Sequence, residues 1–183
     1  MKKKKKVFVQ NLYHDIEDAT AAEEYLNASL PLIGSLVMTF NGLEKELDAI
    51  ICDLFTDTTD SIGMIVLHNM GYSTKVDMFK RFSDELHLQF DENIECYDAL
   101  IYNLKQSGKL RNLVVHADWE NTDCEGYTYI NMKISRFGML QEYIQFSEKS
   151  LKEIIHLINE TRKVLALYWE HRRKNLFYKV MEG

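Results

Sequence analysis

The residues with the clearest capacity for chemistry are Arg111-Asn112-Leu113-Val114-Val115-His116, followed by Ala117-Asp118-Trp119. A cation that never loses its charge stands five positions before the one side chain that exchanges protons near neutrality. An asparagine sits beside the arginine, and three apolar residues fill the gap. This combination suits cleavage of a phosphodiester without a metal. The bare spacing is expected roughly 0.2 times by chance in a chain of this composition, so its surroundings must carry the reading.

The chemistry has two requirements. RNA is cut without a metal when its 2′-hydroxyl attacks the adjacent phosphate, so a base must take the hydroxyl proton and a cation must hold the added negative charge. Histidine performs the first task near pH 7, typically contributing ~10²–10⁴-fold in rate. Arginine performs the second through a rigid fork of donors aimed at phosphate oxygens. One histidine cannot readily be base and acid in the same step, so a two-fold dimer that brings two copies together is expected. The competing structural reading is that Arg111 and His116 cap carbonyls and complement the dipole of a helix end, with Asn112 a buried hydrogen-bonding residue and Trp119 core.

Other constellations are weaker. Glu153 and His156 have the i, i+3 spacing of half a di-iron site, but such a site needs two of these plus further carboxylates, and Asp84 with His87 is only a distant echo. Accidental spacing on a charged helix is the better account, and no cofactor or metal is expected. Arg172, Arg173 and Lys174 stand near Tyr168, Trp169, Phe177 and Tyr178. They form a weak RNA-contacting candidate, because cations beside aromatic faces suit stacked bases. A solvated charged face over core aromatics is the commoner outcome. Phosphate-binding glycine loops and serine hydrolase signals are absent from the sequence.

The elements that position these residues are mostly helical. One proline and eight glycines leave few breakers. Residues 18–30 read as a helix broken near Pro31 and Gly34. Leu36, Phe40, Leu43, Leu47, Ile50, Ile51 and Leu54 then mark an amphipathic helix ending near Asp57. Between Thr56 and Gly71 lies a connection with some helical content, in which Ile62, Ile65 and Val66 share a face. Ser73 opens a helix through Val76, Phe79 and Phe82, and another begins about Asp91 or Asn93 and carries Ile94, Tyr97, Leu100, Ile101 and Leu104. Gly108 is a candidate kink before the motif. At 100° per residue Asn112 and His116 share a face, while Arg111 lies about 140° from His116. His116 falls near a helix end, with 121–126 as loop. Tyr127 to Ile134 and Met139 to Phe146 read as a small β-hairpin insertion, about 127–146, and Ser147 caps the last long helix.

Composition narrows the function classes. With 46% hydrophobic and 27% charged residues, the 183-residue chain is of ordinary globular type, long enough for one domain with a real core. The net charge is −6, and about −11 without Lys2–Lys6, so a broad nucleic-acid-coating surface is excluded and any RNA chemistry needs a local positive pocket. Residues 1–10 read as a disordered basic end rather than an RNA arm, followed by one domain over 11–183. Three cysteines without a CxxC pair fit a reduced, cytoplasmic setting. No stretch reads as a signal peptide or membrane span, so no membrane partner is expected.

Taken together, Phe40-Asn41-Gly42-Leu43-Glu44-Lys45-Glu46-Leu47 on one helix and Leu110-Arg111-Asn112-Leu113-Val114-Val115-His116 on a later one resemble the HEPN superfamily. Its signature is Arg, four to six residues, then His, commonly with a polar residue directly after the Arg. The resemblance covers roughly residues 35–120 and, more loosely, the last helix; the hairpin is no part of the family pattern. It implies a bundle of four to five helices, often a homodimer, with many members acting as metal-independent endoribonucleases, including toxins and defence factors. On that resemblance Arg111 and His116 would be the catalytic pair and Asn112 the orienting residue, with Glu44 or Glu46 supporting the arginine. RNA would be the substrate, and an antitoxin or a small nucleotidyltransferase the further partner. The alternative from another class is a non-catalytic helical module that binds a partner protein or a nucleotide.

Overall fold

The computed structural model describes the backbone of residues 1–8, 16–55, 59–136 and 138–181, and the side chains of these apart from 135 and 175–181. In chain order the elements are β1 (Lys3–Val7), α1 (Ala19–Phe55), α2 (Ser61–Leu67), α3 (Tyr72–Phe90), α4 (Tyr97–Val115), β2 (Asp118–Thr122), β3 (Tyr127–Ser135), β4 (Gly138–Gln145) and α5 (Glu148–Met181). Helices dominate, and the strands form one antiparallel sheet in the order β1-β4-β3-β2. The chain divides into two compact units, residues 1–38 with 110–155, and residues 39–109 with 156–183.

The first unit holds the sheet. The expected hairpin forms as β3 and β4, paired from Tyr127↔Gln145 to Ser135↔Gly138 with a register shift between Tyr129 and Asn131. It is not an isolated insertion, because β2 joins it on one side and β1 on the other. The lysine run, expected as a disordered end, is instead the edge strand β1, in register with β4 from Lys3↔Ile144 to Val7↔Leu140. Alternation explains this: Lys4 and Lys6 lay their ammonium groups over the rings of Tyr127 and Tyr143, at 5.1 and 6.0 Å from the ring centres, while Lys5 pairs with Glu142. Residues 9 and 10 of that expected end lie outside the described residues. Part of the expected 121–126 loop belongs to β2, and the chain turns between Asp123 and Gly126. Gly126 has φ +82°, and a Cβ there would stand 2.8 Å from the carbonyl oxygen of Phe146, so this position requires glycine. Ser147 caps α5 as expected, and the bonding is reciprocal: Ser150 N–H donates to Ser147 Oγ at 3.1 Å, and Ser147 N–H to Ser150 Oγ at 2.9 Å.

The helix in 18–30 begins as expected, with Asp18 Oδ1 accepting from the Ala21 amide at 3.0 Å. Its expected break does not occur, because α1 runs through Pro31 without interruption. Proline deprives the Asn27 carbonyl of its helical partner, but Asn27, Ala28 and Pro31 are exposed, so water can take that bond. By length and composition alone the continuous helix is long and apolar enough to cross a membrane, a property that the core helices of water-soluble proteins share.

In the second unit the three- and four-residue steps bury Phe40, Leu43, Leu47, Ile50 and Ile51 of α1 and Val76 and Phe79 of α3. From α4 they bury Leu100, Ile101 and Leu104, and from α5 Ile158, Leu165 and Tyr168. α3 starts at Tyr72 after an N-capping Gly71, not at a Ser73 cap, and α4 starts at Tyr97. On α2 the expected apolar face is turned outward: Ile62 and Ile65 are exposed, and Gly63 and Leu67 are buried. A Cβ on Gly63 would lie 2.7 Å from the Cα of Cys52, so glycine permits the close approach that sets this face. Gly108 is no kink. It is buried within α4, where the ring of Tyr72 occupies the space a side chain would need.

Candidate functional site at the end of α4

Arg111 and Asn112 belong to the last turn of α4, and His116 to the turn that leaves it. The His116 amide donates to the Asn112 carbonyl at 3.0 Å, so the helical bond pattern extends to the histidine although its backbone already departs. Asn112 and His116 are exposed and Arg111 is half-buried. Adjacent helical residues point about 100° apart, yet Arg111 Nη1 donates to Asn112 Oδ1 at 2.9 Å. The bond thus ties the guanidinium and the Asn112 amide together across that divergence. Exposure of Asn112 does not match the structural reading in which it is a buried hydrogen-bonding residue, whereas an exposed His116 at the helix end is compatible with the capping role of that reading.

Trp119 fixes this turn, a role the sequence reading did not assign; it figured there only as core in the competing structural reading. Its indole Nε1 donates to the Val114 carbonyl at 2.8 Å, satisfying one of the last acceptors of α4, and its ring packs on Phe146 at 5.1 Å. Ala117 is buried, and β2 begins at Asp118, which pairs with Tyr129 of β3. Helix end, turn and sheet are therefore joined within four residues of His116. The carbonyl end of α4 carries partial negative charge, which favours cations there.

The acidic residues expected to support Arg111 have other partners, in the second unit. Glu44 Oε1 and Asp48 Oδ2 both accept from the ammonium of Lys75 at 2.9 Å, and Lys75 is almost fully buried. Burial opposes the charge on Lys75, but the hydrogen bonds it donates to the two carboxylates, with their negative charge, outweigh it and hold the ammonium above its ordinary pKa. Glu46 takes a fork from Arg162, whose Nε lies 3.1 and 3.0 Å from its two oxygens. Of the basic group proposed to touch RNA, Arg172 is fully buried and donates to Glu92 at 2.8 Å, which removes it from any RNA-contacting surface. Arg173 is exposed, and Lys174 pairs with Glu170 at 2.8 Å. The side chains of Phe177 and Tyr178 lie outside the described residues.

Glu153 and His156 are both exposed, with Glu153 3.9 Å from Lys149. Asp84 accepts from Tyr97 at 2.7 Å, and His87 approaches the Tyr168 hydroxyl at 3.4 Å. Among the described residues no group of three or more His, Cys, Asp and Glu side chains is placed to hold a metal ion. The second unit also carries an open groove of about 730 Å³, in which apolar Ala49, Ile50, Ala166 and Trp169 are joined by charges of both signs, Glu46, Asp53 and Glu170 with Arg173 and Lys174. Trp169 is anchored there by donating to Asp53 at 3.0 Å. The chain matches no protein-family model, and neither a curated protein nor a solved structure is similar to it.

Proposed function

We propose that the protein is a metal-independent endoribonuclease of the HEPN type, with Arg111, Asn112 and His116 as its working residues. The observation that supports this reading most is the Arg111–Asn112 bond beside an exposed His116 at the end of one helix. His116 takes the 2′-hydroxyl proton, Arg111 stabilises the charge that develops on the phosphate, and Asn112 orients the guanidinium. With one such histidine per chain, protonation of the leaving 5′-oxygen falls to His116 of a second protomer in a two-fold dimer. Arginine supplies the charge that a metal would otherwise bring, so cleavage persists in EDTA and leaves a 2′,3′-cyclic phosphate. A cytoplasmic toxin or phage-defence role, with an antitoxin or nucleotidyltransferase as partner, belongs to the same proposal.

The test is cleavage of a broad RNA panel in EDTA by wild type, His116→Ala and Arg111→Ala, with thermal unfolding and light scattering alongside. Each substitution is expected to lower the rate ~10²–10⁴-fold. Unfolding should change by less than ~0.5 kcal/mol for exposed His116. A wild type inactive on the whole panel, or a monomer at micromolar concentration with RNA present, would count decisively against this reading.

A further inference from the structure

Among the described residues β1 stands at the edge of the sheet. Its links to β4 run from the Gln145 amide to the Lys2 carbonyl at 2.9 Å and from the Phe8 amide to the Met139 carbonyl at 3.0 Å. Main-chain groups in an antiparallel pair alternate in direction, so the even-numbered residues of β1 face β4. Lys3, Lys5 and Val7 turn their amides and carbonyls the other way, and all three residues are exposed. An edge of this kind is a template for one more strand.

The side chains select what that strand can be. Lys3 and Lys5 project on one face of β1, and Lys4 and Lys6 on the other, over Tyr127 and Tyr143. A second copy of β1 would set lysine against lysine, which is unfavourable across a strand pair. A strand bearing carboxylates opposite Lys3 and Lys5 would be favourable. The sheet already contains this arrangement once: Glu142 on β4 is held between Lys5 of β1 at 3.4 Å and Lys133 of β3 at 3.0 Å. Lysines on both flanking strands therefore clamp one acidic position in the middle strand. On the opposite face, Lys4 and Lys6 share a small depression with Glu17, Asp18, Asp123 and Glu125. Those carboxylates repel a polyanion and leave the Lys3–Lys5 face as the one that accepts negative charge.

We propose that the outer edge of β1 is a docking site for an extended acidic peptide segment of a partner protein. The segment adds as a fifth strand, its main chain bonded to Lys3, Lys5 and Val7 and its alternate carboxylates opposite Lys3 and Lys5. RNA is the less suitable occupant, because phosphates would use the ammonium groups but leave the outward amides to water.

The probe is a labelled seven-residue peptide alternating Glu with Thr, titrated into the full chain. Three changes are each expected to weaken binding at least about tenfold: Gln in place of Glu in the peptide, N-methylation of alternate peptide amides at unchanged charge, and the double variant Lys3→Gln, Lys5→Gln. Amide exchange at Lys3, Lys5 and Val7 should slow when the wild type is saturated. Equal affinity of the N-methylated peptide would overturn strand addition, as would absence of binding at millimolar peptide. Tighter, lysine-dependent binding of a twelve-residue oligouridylate would make nucleic acid the occupant and overturn the proposal. The peptide experiment involves no cleavage, so it stands or falls separately from the ribonuclease reading.

Discussion

The Nη1 of Arg111 lies 2.9 Å from Oδ1 of Asn112, its immediate neighbour in α4. Neighbouring helical side chains diverge, so this bond holds the long arginine arm to one side of the helix and restricts the rotamers of its guanidinium. Asn112 is therefore a positioning residue in the ribonuclease reading. Asn112→Ala should leave unfolding within ~0.5 kcal/mol of wild type, because the side chain is exposed. Misplacement of a catalytic group can cost up to ~10²-fold, and the loss should fall on kcat more than on KM. Asn112→Asp keeps the acceptor and should retain more turnover than Asn112→Ala. Wild-type kcat in the alanine variant would show that the bond orients nothing that matters to turnover.

A second prediction follows from how α4 ends. Trp119 supplies the donor for the Val114 carbonyl at 2.8 Å, and its ring rests on Phe146. Trp119→Phe keeps an aromatic ring there and removes only the donor. The expected cost is ~0.5–1.5 kcal/mol, the net worth of one hydrogen bond. The sensitive readout is amide exchange at His116, whose own bond to the Asn112 carbonyl spans the same turn. Exchange at His116 should accelerate in Trp119→Phe more than exchange at Leu104, in the middle of α4. Uniform acceleration along the helix would mean that the indole stabilises the unit without holding the turn.

These two residues also mark the limit of what the sequence discloses. The helices of the second unit were legible because three- and four-residue apolar steps survive whatever packs against them, as at Leu43, Leu47, Val76 and Phe79. The β3–β4 hairpin was legible from its two apolar runs and Gly138. Local rules failed where tertiary context decided. Pro31 breaks a helix in isolation, but its neighbours face solvent and α1 continues. Lysines resemble a disordered tail until Tyr127, Tyr143 and Glu142 provide their partners. The motif residues could be named and their helix-end position anticipated, whereas the indole bond to the Val114 carbonyl required the chain to fold back through β2.

Gly108 tests the same distinction by stability. Alanine is the better helix former by about 1 kcal/mol, so α4 alone predicts that Gly108→Ala stabilises. In the structure the new Cβ would lie 2.7 Å from Cδ1 and 2.8 Å from Cε1 of Tyr72. Tyr72 cannot yield easily, because its hydroxyl donates to the Leu104 carbonyl at 3.1 Å and its ring lies 4.6 Å from that of Phe40. Overpacking of this kind costs ~1–3 kcal/mol, which outweighs the propensity gain. Chemical denaturation should therefore show net destabilisation, and Tyr72→Leu in the same chain should recover part of it. A stabilised Gly108→Ala would mean that the Tyr72 ring moves without cost.

The last prediction concerns pH and rests on His87 in the second unit. Its ring meets Tyr97 edge-on at 4.4 Å, and Nε2 stands 3.4 Å from the Tyr168 hydroxyl. Burial lowers its pKa below the ordinary 6.5, and the Arg172 guanidinium lowers it further, against the smaller opposing pull of Asp84, Glu92 and Asp98. The folded protein therefore binds this proton less readily than the unfolded chain. Between the depressed folded value and 6.5 the unfolded state carries more protons, so stability rises with pH across that window. The contribution is fully present above 6.5 and is lost as pH falls through the folded value. Urea unfolding should accordingly show a lower midpoint at pH 5.5 than at pH 7.5. His87→Phe keeps a ring against Tyr97 and cannot take the proton, so the difference between the two pH values should shrink in that variant. If wild type and His87→Phe lose the same stability between pH 7.5 and 5.5, the acid sensitivity belongs to other groups and His87 is not held neutral by its surroundings.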